Sequence, residues 1–143
     1  MNNATLMDIR WKQRFQNFDR AFVLLRSALE EKQVGDFSRL EQEGLIQRFE
    51  YAYELAWKTA KDYLQEHGTV LAEVTPKTVI QAAFAAGLIP DGQTWVEMRL
   101  HRNMLSHSYD EAKFSEVLLA VKAKYLAALG SLHLWFMERL DEK

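Results

Sequence analysis

Apolar side chains recur at helical steps along most of the chain. From Asp8 onward, Trp11, Phe15, Phe18, Phe22, Leu25 and Leu29 follow one another at intervals of four and three. That spacing predicts a long amphipathic helix with an aromatic seam, ending near Gly35. A second helix is predicted from near Ser38 to Gly68, a glycine being well suited to the residue just past a helix end. Its buried stripe is Leu45, Phe49, Ala52, Tyr53, Ala56, Trp57, Ala60 and Leu64. Thr75-Pro76 is a cap followed by a first-turn proline, opening a short helix with Val79, Ile80, Ala83 and Phe84 as its apolar positions. It closes at Gly87, and residues 88–92, with Pro90 and Asp91-Gly92, form a turn. A fourth helix starts near Gln93. A fifth runs from about Glu111 to Leu140 and buries Phe114, Val117, Val121, Tyr125, Ala128, Leu132 and one of Trp135 and Phe136. No strand-like alternation, internal repeat or low-complexity linker interrupts this order. The prediction is an all-α, up-and-down four-helix bundle with one short extra helix, a single domain over residues 1–143.

Composition narrows the chemistry. With no cysteine there is neither a disulfide framework nor a thiolate metal site. The absence of a signal peptide or of an evident bilayer-spanning run predicts a soluble, cytoplasmic protein with no membrane partner. A net charge of −2 makes the surface as a whole a poor attractor for nucleic acid, so any such binding must come from a local patch. On the second helix Glu50, Glu54, Lys58 and Asp62 climb one face at steps of four, and the acids are read as a solvated ladder.

The densest cluster of chemically useful groups is His101-Arg102-Asn103-Met104-Leu105-Ser106-His107-Ser108-Tyr109. On a straight helix Trp95, Met98, Leu105 and Tyr109 share a side with Arg102, while Val96, Leu100 and Met104 lie opposite with Asn103 and His107. A helix apolar on two faces is covered on two faces, and in a chain this short the second cover is expected to be another copy of the protein. Arg102 near a covered surface needs an anionic partner, either Glu97 or Glu54 or a phosphate. Five residues apart on one helix, Arg102 and His107 point about 140° apart. Either the helix ends before His107 or the pair acts across a dimer, and we favour the dimer. Such a set suits RNA cleavage by the ribose 2′-hydroxyl: histidine as base or acid near neutrality, Arg102 gripping phosphate oxygens, Asn103 orienting a phosphate or ribose oxygen. Neither histidine has metal-ligand spacing, so no metal and no cofactor is expected.

Arg102-Asn103-x-x-x-His107-x-Tyr109 resembles the signature of the HEPN superfamily in its HepT-like branch, also described as nucleotidyltransferase substrate-binding proteins. Arg48-Phe49-Glu50, Glu54-Leu55-Ala56-Trp57-Lys58, Asp62-Tyr63-Leu64 and the segment from Val79 to Met98 extend the similarity, which covers residues 45–111. The resemblance implies a homodimer with Arg102 and His107 of both subunits in an interface cleft, and a metal-independent ribonuclease toxin acting on RNA. It further implies a minimal nucleotidyltransferase of the MntA type as antitoxin, adding AMP to the tyrosine that matches Tyr109. A second reading keeps Arg102 and His107 as phosphate ligands in a non-catalytic subunit that binds nucleotide or presents substrate to a nucleotidyltransferase. The acidic net charge leans towards that second reading.

Overall fold

The computed structural model describes residues 9–106 and 110–142, and every regular element in them is helical. Helix α1 spans Arg10–Leu29 and is followed by a 3₁₀ turn, Val34–Asp36. Helix α2 spans Arg39–Glu66, α3 Pro76–Ala85 and α4 Gly92–Leu105. The last arm is α5 (Glu111–Ala120), a π-helical turn (Val121–Tyr125) and α6 (Leu126–Met137). The boundaries follow local chemistry. Ser38 and Glu41 form a reciprocal capping box at the start of α2, and Thr75 and Thr78 do the same for α3. Gly68 ends α2 at φ +93°, where Thr69 N–H returns to the Leu64 carbonyl at 2.8 Å, the wrapped C-terminal turn glycine permits.

Helix α2 is the central element. It packs against α1 along most of its length and touches α3, α5 and α6 as well. All eight positions of its predicted stripe are buried, and so are Ile46, Leu55, Thr59, Asp62 and Tyr63. The aromatic seam of α1 is buried throughout, Trp11 lying edge-on to Tyr63 at 5.2 Å between centroids. Gly130 brings α6 close to α1, since a Cβ there would sit 3.2 Å from Phe22 Cζ.

Three expectations need correcting. The ladder on α2 is not solvated throughout: Asp62 is buried and meets Arg14 Nε at 2.6 Å and Lys61 Nζ at 3.2 Å. Phe84 is 53 % exposed, because α3 is short and turns only Val79, Ile80 and Ala83 to the core. In the last arm the π turn inserts an extra residue into the helical repeat, which buries Leu129 where Ala128 was expected and selects Phe136 over Trp135. That arm also answers the membrane expectation differently. Ala112–Met137 is long and apolar enough to cross a bilayer by length and composition, yet Phe114, Val117, Val121, Tyr125, Leu129 and Phe136 are all core residues of the bundle.

Candidate functional site

Helix α4 carries the site. Asp91 caps it by accepting from Gln93 N–H and Thr94 N–H, and Trp95 and Met98 anchor its inner face. It ends at Leu105, with Ser106 as the C-terminal cap. The helix thus stops before His107, as the first of the two alternatives for the Arg102–His107 spacing requires. His107 and Tyr109 lie outside the described residues. Asn103 is exposed on the outer side of α4. On that side Leu100 is 54 % exposed, while Val96 and Met104 are half-buried, Met104 against the core.

Arg102 sits on the last turn of α4, about a quarter exposed, and its guanidinium is held from two directions. Nη1 donates to Ser106 Oγ, four residues on. Nε lies 3.3 Å from Oε2 of Glu50 on α2, an ion-pair distance without hydrogen-bond alignment, so that buried Nε has no hydrogen-bond partner among the described residues. Neither expected partner serves: Glu97 pairs with Lys124 at 2.6 Å and Glu54 with Lys58 at 3.5 Å. Glu50 was missed although the ladder held the signal. Glu54 finds Lys58 one turn later, whereas Glu50 finds only Glu54, a like charge, so its cation had to come from another helix.

Burial raises the Glu50 carboxyl above its ordinary range, Glu54 adds to the rise, and Arg102 opposes it. Tyr53, on the same stretch of α2, is buried with its hydroxyl unpartnered among the described residues. Burial and then Glu54 push its phenol up, against Arg99 and Arg102. Glu50 and Ser106 also border a groove of about 460 Å³, walled by Glu43, Ile46, Gln47, Leu105 and Phe114. An arginine thus stands at the rim of a groove whose own charges are acidic.

His101 is engaged elsewhere. Its Nδ1 is 2.5 Å from the hydroxyl of Tyr125 on the π turn, and its Nε2 is 3.9 Å from Glu116. Burial pushes the Tyr125 phenol up to about 12, with Glu97 and Glu116 adding to it. The phenol therefore keeps its proton and shares a hydrogen bond with Nδ1. His101 ties α4 to the last arm, while Arg102 borders the groove. Among the described residues no group of three or more histidine, aspartate or glutamate side chains is placed to hold a metal ion.

The sequence profile of the family described as nucleotidyltransferase substrate binding protein like matches residues 13–137. A curated protein of Haemophilus influenzae, the probable ribonuclease HepT, is 38 % identical over 73 residues, 49 % of this chain. That match spans half the length of the relative. A solved structure from Haemophilus influenzae, described as revealing the fold of a substrate binding domain of a nucleotidyltransferase, superposes with a TM-score of 0.71 and 28 % identity. The superposition covers 90 % of this chain and 99 % of that one. A crystal structure of a Thermus thermophilus protein superposes with a TM-score of 0.67 and 29 % identity, over 87 % of this chain and 99 % of that one.

Proposed function

The chain belongs to the nucleotidyltransferase substrate binding protein like family, and from that premise we propose that it is a metal-independent endoribonuclease, the toxin of a toxin–antitoxin pair. The observation that carries this reading is Arg102: a largely buried cation on the last turn of α4, at the rim of a groove, whose Nε has no hydrogen-bond partner among the described residues. The name of the Haemophilus influenzae relative supports it. In the proposed reaction a base takes the proton of a ribose 2′-hydroxyl, and the oxygen attacks the adjacent phosphorus. An acid returns a proton to the leaving 5′-oxygen, giving a 2′,3′-cyclic phosphate and a 5′-hydroxyl. Arg102 neutralises the phosphorane oxygens, and His107 from each of two subunits supplies base and acid across a homodimer. Asn103 orients the substrate. A minimal nucleotidyltransferase silences the site by moving AMP from ATP to the Tyr109 oxygen with release of pyrophosphate, which fills the phosphate site with a tethered nucleotide.

The test is purified protein on single-stranded RNA with end-group analysis. The expected result is cutting that persists in chelator and leaves cyclic phosphate and 5′-hydroxyl ends. Intact RNA sinks the proposal. It would favour the second reading, a nucleotide-binding subunit for a separate nucleotidyltransferase, which the carboxylates of Glu43 and Glu50 in the groove support because they repel a polyanion.

Glu50 has a further consequence. A phosphate reaching Arg102 must displace its carboxylate. Protonated Glu50 competes less, so oligonucleotide affinity of the wild type should weaken as pH rises through the elevated Glu50 value. Glu50→Gln should bind more tightly at neutral pH and lose that step. A titration of labelled oligoribonucleotide at several pH values checks it, and equal affinities for wild type and variant throughout would refute the competition.

A further inference from the structure

Helix α1 concentrates the positive charge of a chain whose net charge is −2: Arg10, Lys12, Arg14, Arg20 and Arg26 stand against one acid, Asp19. Arg14 is taken up by Asp62 on α2 and Asp19 by His133, each at 2.6 Å. Most cations elsewhere in the bundle meet carboxylates, as Lys32, Lys58, Arg102 and Lys124 do. Arg20 and Arg48 are held differently. Arg20 Nη2 donates to the Asn17 side-chain oxygen at 2.7 Å, and Arg48 Nη1 to the Leu24 carbonyl at 3.3 Å. Both line one groove of about 260 Å³ between α1 and α2, with Asn17, Ala21, Leu24 and Tyr51. Tyr51 is 59 % exposed, a large ring left in water beside two guanidinium groups whose hydrogen bonds go to neutral acceptors.

We infer that this groove is a second RNA subsite, where Arg20 and Arg48 take backbone phosphates of a single strand and Tyr51 stacks on a base. The inference rests on the ribonuclease reading and says where the rest of the strand goes. Tyr51 directly follows Glu50, the residue that holds Arg102, so the two sites flank one helix, about 10 Å across. Beside Arg102 the Glu50 carboxylate repels the backbone, so the phosphates beyond the cleaved one need cations elsewhere. Paired arginines, an amide and an exposed ring are the elements that bind single strands without base reading. The groove is too small for a duplex.

The test is binding of a labelled single-stranded oligoribonucleotide at several salt concentrations, on a His107→Ala background to prevent cutting. Arg20→Gln/Arg48→Gln should bind more weakly and flatten the log–log salt slope by about 1.4, two phosphate contacts at about 0.7 each. Arg20→Lys/Arg48→Lys should restore the slope, a recovery that a merely structural role would not give. Tyr51→Ala should weaken binding about fivefold or more with the slope unchanged. Unchanged affinity and slope in the glutamine variant, with its helical content intact, overturns the subsite, as does a wild-type protein that binds no RNA. A glutamine variant that keeps RNA but loses a nucleotidyltransferase partner overturns it too, and makes the groove a protein dock. Cutting by the protein with intact His107 is scored separately, so RNA that binds but stays whole refutes the ribonuclease reading and leaves the subsite standing.

Discussion

Arg102→Ala is expected to lower kcat/KM for RNA cleavage by about 10²–10³-fold, the loss that follows removal of one preorganised group from a developing oxyanion. His107→Ala should cost about 10²–10⁴-fold, the usual share of a general acid or base. Arg102→Lys should fall between, because it keeps the charge and gives up the planar fork that grips two oxygens. Wild-type rates in either alanine variant would remove that residue from the catalytic set. Arg102→Ala carries a second signature. Arg102 lowers the Glu50 carboxyl, against burial and Glu54. Without it the folded-state value rises further above that of the unfolded chain, so the protein binds more protons when folded. The variant should therefore match wild-type stability most closely below the ordinary glutamate value of 4.5, and lose stability as pH rises through the folded value. Thermal unfolding of both proteins across a pH series from acid to neutral reads this. Activity is then compared at a pH where both are folded.

Arg14→Ala should destabilise the fold by about 2 kcal/mol, less than breaking a fully buried pair costs. Asp62 is buried on α2, and Arg14 on α1 is its closest cation at 2.6 Å. Breaking a fully buried pair costs about 3–5 kcal/mol, because an uncompensated charge stays in the interior. Arg14 is partly exposed and Lys61 remains 3.2 Å from the other oxygen, so the loss should be smaller. For a chain of this size that is a melting-point drop of about 4–8 °C. Arg14→Leu/Asp62→Leu should recover much of the loss, since apolar residues of similar volume often replace a buried pair without penalty. A double variant as unstable as Arg14→Ala would mean that the pair is needed for more than its charge balance.

The bundle was legible because the helices showed their apolar period and several showed their ends, although α1 stops at Leu29, short of the expected Gly35, where a 3₁₀ turn at Val34–Asp36 follows. Ser38 with Glu41, Thr75 with Pro76, and Gly68 and Gly87 stop and start the chain where the structure does. These are interactions over three or four residues, and a sequence displays them directly. The π turn was not legible. It is a single-residue shift set by how Val121 and Tyr125 both reach the core, and only the neighbouring helices decide that.

The site divides along the same line. The sequence by itself determined the family, the helical order and the polar cluster around Arg102, because residue type and spacing are properties of the chain. Tertiary structure alone decided what those groups meet: Arg102 against Glu50 rather than Glu97 or Glu54, His101 bound to Tyr125, Asp62 buried on Arg14. Each of these pairs joins two helices. Which carboxylate faces which cation across such a contact depends on how the helices cross and rotate, and no local spacing records it.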